Sequence, residues 1–337
     1  MPFIDKILVS RSLSIVGMEK NTGKTECLNY VIYRLKEKEK IIGLTSIGID
    51  GESVDQVTET PKPEIEIYPG TIFITSEKHY KQKQLTAEIL DITQKSTALG
   101  RLITARAKDF GKVICSGPSQ TVWLKEIIDK TRDMGVDLFL VDGALSRKSS
   151  ASPSITESMI LTTGAAVAPG IDDIVKKTAF LVKLINIESF DTEHHEILMG
   201  KEKGLYIITK DNELIDTGIE SGLFADKLSP EILNKASAIF LSGILTDRFI
   251  ELIRLQNTKN KIIILVKDFT KIFITKEKYH GFLKSGGEIR VLLKPKLIAV
   301  CINPLSPIGY KLDSNLLAEK LHNAINLPIY DIKNIQK

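Results

Sequence analysis

Apolar residues in this chain fall into short continuous runs that alternate with longer segments in which they recur every three or four positions. Short runs are typical of buried strands, and the longer spacing is typical of helices that pack one face against a sheet. The strands that this pattern predicts in the first half lie at 11–16, 41–46, 71–75, 113–115, 137–142 and 158–162. The helices that it predicts there lie at 27–35, 98–108, 122–134 and 171–185.

A polar stretch at 188–203 separates this half from a second series of strands and helices. Its adjacent His194 and His195 are interpreted as a solvated pair, because metal binding would need further ligands that the pattern does not place. Beyond this stretch the pattern predicts a hairpin at 205–218, strands at 238–242, 262–266, 289–293, 297–302 and 328–330, and helices at 247–255 and 315–325.

The order of these elements predicts the fold class. Strands that alternate with helices indicate an α/β protein with a mostly parallel sheet flanked by helices. We expect a first domain over 1–190 and a second, smaller α/β domain or extension over 201–337, divided by the polar stretch.

The charge balance and the cysteines limit the class of protein. The 46 Lys and Arg nearly offset the 42 Asp and Glu, and no basic block is interleaved with aromatic residues, so we expect no nucleic-acid partner. The three cysteines lie far apart, and the first residues are mixed and charged, which is typical of a reduced, cytoplasmic protein. The apolar runs are too short to cross a bilayer, so we expect no membrane partner.

The segment between the first predicted strand and the first predicted helix reads SIVGMEKNTGKT over 14–25. In a phosphate-binding loop, backbone N–H groups and the positive end of the next helix hold phosphate oxygens. Lys24 is placed to meet the terminal phosphates, and the Thr25 hydroxyl is placed to bind Mg²⁺. Five residues separate Gly17 from Gly23, where the common pattern has four. A chance Gly-Lys-Thr sequence in a turn is the alternative.

The loop and the first helical turn supply most of the expected nucleotide contacts. They are Gly17, Glu19, Lys20, Asn21, Thr22, Gly23, Lys24, Thr25 and Glu26.

Two carboxylates are candidates for the chemistry at the phosphates. Asp142 ends a predicted apolar strand and precedes Gly143-Ala144. Enzymes with a phosphate-binding loop place a residue that holds Mg²⁺ at the end of such a strand. Asp50 lies in the glycine-containing turn at 48–55, after the second predicted strand. We expect Lys24, Asp50 and Asp142 to be catalytic, and Thr25, Asp50 and Asp142 to bind the metal. The alternatives are an aspartate that caps a turn and an ordinary acidic turn.

Two further segments follow predicted strands. The segment at 115–120, CSGPSQ, could bind an acidic group of a substrate, or Ser119 could cap the next helix. The segment at 303–310, NPLSPIGY, is a rigid loop by default.

The loop from Gly17 to Thr25 resembles that of dethiobiotin synthetases and of cobyrinic-acid amidating synthetases, in the group of P-loop proteins that includes MinD-type ATPases. Asp142-Gly143-Ala144 is similar to the Glu-Gly-Ala element of the dethiobiotin synthetases, with Asp in place of Glu. The resemblance implies ATP and Mg²⁺ as cofactors, and Asn303 as an adenine contact. Many members carry a signature lysine where this chain has Glu19, with Lys20 one residue later.

Taken together, the loop, the turn at 45–52, Asp142-Gly143-Ala144 and the loop at 303–310 resemble the small ATPase subunits of aminomutase reactivases. These subunits act beside lysine 5,6-aminomutase, a cobalamin-dependent aminomutase. The resemblance implies two protein partners, a MutS-like ATPase subunit and the aminomutase itself. It also implies a chaperone-like ATPase that removes damaged cobalamin.

Three functions therefore stay open for this sequence. The first is the partner-remodelling ATPase, and the second is a dethiobiotin-synthetase-like, ATP-dependent ligase that acts on a small carboxylate. The third is a nucleotide-dependent switch with slow hydrolysis only. None of the three cysteines has the context of a glutaminase nucleophile, which disfavours an amidating enzyme. We expect a Mg²⁺-dependent ATPase, whose oligomeric state stays open, with a homodimer as one option.

Overall fold

The computed structural model of the protein describes residues 3–47, 64–144, 152–256 and 262–335. The chain forms two compact units, one built from 1–179 together with 296–337 and the other from 180–295. Among the helices in these ranges, none combines the length and the apolar character that crossing a membrane requires.

The described residues form eighteen strands, numbered in chain order. They are β1 (Ser12–Gly17), β2 (Ile42–Ser46), β3 (Ile65–Ile67), β4 (Ile72–Ser76), β5 (Ala87–Thr97), β6 (Gly100–Ala107), β7 (Gly111–Val113), β8 (Leu138–Ala144), β9 (Ser158–Gly164), β10 (Leu205–Thr209), β11 (Leu214–Asp216), β12 (Ala236–Leu241), β13 (Leu245–Thr246), β14 (Ile263–Val266), β15 (Ile272–Phe273), β16 (Glu288–Val291), β17 (Lys296–Asn303) and β18 (Ile329–Asp331).

The helices follow in the same order. They are α1 (Ile4–Leu8), α2 (Lys24–Leu35), α3 (Glu77–Tyr80), α4 (Thr121–Asp133), α5 (Ile171–Ile185), α6 (His195–Gly200), α7 (Pro230–Lys235), α8 (Asp247–Gln256), α9 (Lys276–Lys284), α10 (Ser314–Ile325) and α11 (Ile332–Ile335), with 3₁₀ turns at Gly222–Lys227 and Phe269–Lys271.

The first unit contains a nine-stranded sheet in the order β18-β17-β9-β1-β8-β2-β4-β6-β5. Every pair from β18 to β4 is parallel, and β6 pairs antiparallel with both β4 and β5. The protein is therefore an α/β protein with a large, mostly parallel sheet flanked by helices. β1 lies between β8 and β9, so the loop that follows it leaves from the middle of the sheet.

Alternate residues of the central strands face two different apolar cores. In β8, Leu138 and Leu140 belong to the core that contains α2, whereas Phe139 and Val141 belong to the core that contains α4. Side chains alternate between the faces of a strand, so a strand covered on both sides has to be apolar at nearly every position. This explains why the central strands appear in the sequence as continuous apolar runs.

The helix predicted at 98–108 is wrong, because this segment forms β6 in a hairpin with β5. Four consecutive residues of β6, from Leu102 to Ala105, are buried, and β6 pairs with β4 on one side and with β5 on the other. Gly100 has φ +95°, a value that favours glycine, and it closes the turn between the two strands. Sheet pairing overrides the local spacing here. The strand predicted at 113–115 also differs, since β7 ends at Val113.

The C-terminal segment from 296 to 337 belongs to the first unit, whereas the sequence prediction assigned 201–337 to the second domain. β17 pairs with β9, with Cys301 opposite Thr162, and β18 extends the sheet beyond β17. Sheet pairing between segments so far apart in the chain has no local signal. The division of the chain therefore differs from the predicted 1–190 and 201–337.

The second unit has its own sheet and core. Its five strands have the order β11-β10-β12-β14-β16, and β12, β14 and β16 are parallel. The predicted hairpin is confirmed, since β10 and β11 pair antiparallel around Asn212, which has φ +62°. The polar stretch at 188–203 contains the short helix α6, and the His194 Nε2 atom lies 2.8 Å from the Asn212 carbonyl oxygen.

Candidate functional site

The connection from β1 to α2 is a compact loop that depends on two glycines. Gly23 has φ +88° immediately before the first residue of α2, Lys24. A β-carbon at Gly17 would lie 2.6 Å from the Thr22 Oγ1 atom and 2.8 Å from the Lys24 Cδ atom. Both positions therefore need glycine, one for its backbone conformation and one for the close approach of neighbouring side chains.

Thr162, at the end of β9, holds this loop at two points. The Met18 N–H donates to the Thr162 carbonyl oxygen at 2.9 Å. The Thr22 hydroxyl donates to the Glu19 carbonyl oxygen at 2.9 Å and lies 2.9 Å from the Thr162 hydroxyl. A hydroxyl has one hydrogen, so the Thr162 hydroxyl must be the donor in the contact with Thr22. Sequence reasoning did not single out Thr162, because 140 residues separate it from Thr22.

Asn303, at the end of β17, lies against the other side of the loop. Its Nδ2 atom donates to the Asn21 carbonyl oxygen at 2.9 Å, and its own carbonyl oxygen accepts from the Ala165 N–H at 2.9 Å. A small pocket opens beside this contact. Its lining includes Thr22, Gly23, Glu26, Cys301, Asn303 and Lys333. The structure thus brings Asn303 to the loop, and its predicted contact with adenine stays a prediction.

Asp142 lies on β8, the strand next to β1, with Ile15 opposite it on one side and Ser46 on the other. Its Oδ1 atom is excluded from solvent and has no hydrogen-bond partner among the described residues. Burial raises the pKa of Asp142, and the positive charge of Lys24 opposes that rise. Lys24 and Asp142, two of the three predicted catalytic residues, therefore lie close enough to interact electrostatically.

The donor set fits Mg²⁺, the ion that the phosphate loop implies. A buried carboxylate oxygen without a partner is unfavourable, and a hard cation would satisfy it. Mg²⁺ keeps several water ligands and takes the rest from carboxylates, hydroxyls and phosphates, so a site of this kind needs few protein ligands. Asp142 and Thr25, on the first turn of α2, are the described residues that would hold it. In the described ranges, no group of three or more His, Cys, Asp or Glu side chains is placed to bind a metal.

The structure places the remaining predicted site residues in different surroundings, and one of them lies outside the described residues. Asp50 and its turn at 48–55 lie outside the described residues. Glu19 and Lys20 are exposed on the loop, and Glu26 pairs with Lys333 at 3.6 Å. The predicted cap of α4 is wrong, because the helix begins after Gln120 and Ser119 makes no capping hydrogen bond.

A buried polar cluster that the sequence did not indicate lies at the end of β4. The Ser116 Oγ atom accepts from the Ser76 N–H at 2.9 Å and lies 3.0 Å from the His79 Nδ1 atom. The Ser76 side chain also accepts a hydrogen bond from the His79 N–H as the N-cap of α3. A serine before a short helix was the one local sequence signal for this cluster. The neighbouring Cys115 has its pKa raised, first by burial and then by the charge of Asp142. The cluster therefore anchors the segment at 115–117 near Asp142.

Comparison of the chain with protein-family models finds no match, and comparison with curated proteins finds none that is significant. The chemistry of the site must therefore be inferred from its residues.

Proposed function

We propose that the protein binds a nucleoside triphosphate with Mg²⁺ at the loop 17–25 and hydrolyses it. The observation that carries the proposal is the position of Lys24, on the helix that follows β1, and of Asp142, on the adjacent parallel strand β8. In open α/β sheets, ligands bind outside the carboxyl ends of the strands. A buried carboxylate whose Oδ1 atom has no hydrogen-bond partner among the described residues, close to Lys24, suits a metal-bound phosphate group better than it suits a purely structural role.

Each part of the site has a role in this proposal. Backbone N–H groups of residues 19–23 and the positive end of α2 bind the phosphate oxygens. The Lys24 ammonium neutralises charge on the terminal phosphates, and the Thr162 and Asn303 contacts hold the loop in shape before nucleotide arrives. Bound Mg²⁺ would supply further charge neutralisation at those phosphates, held by Thr25 and Asp142.

The nucleotide in this proposal is ATP, as the resemblance to dethiobiotin synthetases implies. The small pocket beside Gly23 and Asn303 opens next to the phosphate loop, on the side where the remainder of the nucleotide would lie. Asn303 supports this role because one Nδ2 hydrogen bonds to Asn21, which leaves the second hydrogen to reach a base.

We further propose that hydrolysis is coupled to protein partners. The resemblance to reactivase subunits suggests a MutS-like ATPase and a cobalamin-dependent aminomutase. The second unit supports a partner role, because it has an independent sheet and an independent apolar core. Nucleotide can change partner binding only through a different affinity for two states of the protein, so binding and hydrolysis should depend on each other.

The primary test measures nucleotide binding by isothermal titration calorimetry, with Mg²⁺-ATP added to the wild type and to Lys24→Ala. We expect loss of the lysine to weaken binding at least about tenfold, because one charge-assisted contact of about 1.5–3 kcal/mol is removed. Lys36→Ala is the matched control, since Lys36 follows the opposite end of the same helix and stacks on Tyr33. Equal affinities for the wild type and Lys24→Ala would reject the proposal that the loop 17–25 binds the phosphates of a nucleotide.

A further inference from the structure

Two buried cysteines are in contact directly beneath the loop. The Sγ atoms of Cys27 and Cys301 lie 3.6 Å apart, and the two residues are only 0% and 2% exposed. Both are free thiols. Cys27 lies on the first turn of α2, where its N–H donates to the Gly23 carbonyl oxygen at 3.0 Å. Cys301 lies on β17, two residues before Asn303.

We propose that Cys27 and Cys301 form a redox modification site, which closes reversibly to a disulfide and thereby weakens nucleotide binding at the loop. The second half of this statement rests on the proposed function, whereas the disulfide itself does not. The third cysteine, Cys115, lies beside Asp142 and has no part in the pair.

The chemistry needs a peroxide as the oxidant. One thiolate attacks the O–O bond of hydrogen peroxide, which gives a sulfenic acid and, after proton transfer, one water. The second sulfur then attacks the sulfenic sulfur, the S–O bond breaks, and a second water leaves as the S–S bond forms. Both thiol hydrogens leave in water, the two sulfurs are oxidised, and the peroxide is reduced.

We expect closing of the bond to move α2 rather than β17. A disulfide has an S–S distance of about 2.05 Å, so the sulfurs have to approach each other by roughly 1.5 Å. Cys301 is held by sheet pairing on both sides, opposite Thr162 and opposite Tyr330. The first turn of α2 has no such restraint, and it carries Lys24. The disulfide therefore pulls the lysine away from the position that meets the phosphates.

The small pocket beside the loop has Cys301 in its lining, and in this proposal it is the route by which an oxidant reaches the pair. Cys301 contributes to the lining together with Gly23, Glu26 and Asn303, so a bound nucleotide would cover this entrance. The hydrogen-bonded neighbour Cys27 and burial both raise the pKa of the Cys301 thiol. Because the thiolate is the reacting form, oxidation should be slow at neutral pH and should accelerate as pH rises.

The test treats the reduced full-length protein with hydrogen peroxide, blocks the remaining thiols and maps the disulfides by mass spectrometry. We expect a cross-linked peptide that joins Cys27 to Cys301 in the wild type and in the matched control Cys115→Ser, and that is absent in Cys27→Ser and Cys301→Ser. Dithiothreitol should reverse it. Mg²⁺-ATP at about ten times its Kd should slow its formation about tenfold, because only the free fraction of the protein reacts.

The outcomes separate this inference from the proposed function. Oxidation of the wild type that yields only sulfinic or sulfonic acids, or bonds between molecules, would overturn the modification site. A Cys27–Cys301 bond that leaves the nucleotide Kd unchanged would overturn its effect on binding. A reduced protein that binds no nucleotide would overturn the proposed function, and the peptide map would still decide whether the bond forms.

Discussion

The side-chain hydroxyls of Thr22 and Thr162 lie 2.9 Å apart, although 140 residues separate them in the chain. Thr162 is fully buried at the end of β9, so its hydroxyl is held in place by the sheet. Together with the hydrogen bonds from the Met18 N–H to Thr162 and from Asn303 to Asn21, this contact ties the loop at 17–25 to the neighbouring strands.

Thr162→Val should weaken nucleotide binding while preserving the packed volume at the strand end. Loss of one buried hydrogen bond of about 0.5–1.5 kcal/mol corresponds to an increase in Kd of about two- to tenfold. Calorimetric titration with Mg²⁺-ATP measures this change. Thr162→Ser keeps the hydroxyl and should bind as the wild type does, which separates loop positioning from a general loss of stability. Equal Kd values for the Val variant and the wild type would mean that the contact does not position the loop.

Asp142→Asn should remove Mg²⁺-dependent turnover and yet stabilise the nucleotide-free protein at neutral pH. Burial raises the pKa of Asp142, so the folded state holds its proton more tightly than the unfolded state does. The free energy of unfolding of the wild type should therefore fall as pH rises from the ordinary carboxyl range through the raised pKa.

Thermal unfolding between acid and neutral pH measures this effect. Asp142→Asn should match the wild type in acid and exceed it at neutral pH by about 1–3 kcal/mol, the typical penalty of an unsatisfied buried group. Asp129→Asn, on the exposed face of α4, is the matched control and should show no such difference. Curves of unfolding free energy against pH that run parallel for the wild type and Asp142→Asn would contradict the raised pKa of Asp142.

Asp50→Asn should lower the rate of ATP hydrolysis with little change in nucleotide affinity. The sequence places Asp50 after the second predicted strand, where the resemblance to P-loop ATPases implies a carboxylate that contacts Mg²⁺ or the attacking water. A phosphate-release assay at saturating Mg²⁺-ATP measures turnover, and titration measures Kd. Glu52→Gln is the matched control from the same turn. Turnover in Asp50→Asn equal to that of the wild type would show that the turn is only structural.

Gly100→Ala should destabilise the first unit through the hairpin of β5 and β6. Gly100 has φ +95°, and a β-carbon there would lie 2.6 Å from the Glu77 Oε2 atom. We expect the free energy of unfolding to fall by about 1–3 kcal/mol, from backbone strain and crowding together. Gly70→Ala is the control for strain alone, since Gly70 has φ +88° and no atom within 4 Å of the added carbon. Equal losses in both variants would reject the contact with Glu77.

The partner role predicts that ATP hydrolysis by this protein rises when a MutS-like ATPase and an inactivated aminomutase are present. The decisive assay adds Mg²⁺-ATP and fresh adenosylcobalamin to cobalamin-inactivated mutase, with the partner and with or without this chain. We expect mutase activity to recover only when the chain is present, and Lys24→Ala to fail in the same assay. Recovery that is independent of the chain would reject the reactivase role and would bring forward the ligase alternative.

The sequence alone located the loop at 17–25, for which we propose phosphate binding, and the elements beside it. The run before Gly17 and the spacing after Lys24 are local patterns, and β1 and α2 lie where those patterns predict them. The same holds for α4, α5 and the strand that carries Asp142. Neighbouring residues decide these elements, because burial on one face or on both faces sets the period of apolar positions.

Local spacing failed where pairing partners decided the structure. The segment at 98–108 has spacing that a helix could use, but β4 and β5 lie on either side of it and bury its residues in a sheet. Sheet pairing connects segments that are distant in the chain, so no single window of sequence contains its signal. The return of 296–337 to the first unit, next to β9, has the same cause.

The sequence determined which residue types could bind phosphate and Mg²⁺, and the tertiary structure decided what surrounds them. Lys24 and Asp142 could be named from local patterns alone. Thr162 and Asn303 could not be placed against the loop in advance, because their contacts with Thr22 and Asn21 span 140 and 282 residues. Only the strand order, which sets β9 and then β17 beside β1, brings these side chains to the same edge of the sheet. The physical reason is that the parallel alignment of strands places their carboxyl ends together, whatever their separation in the chain.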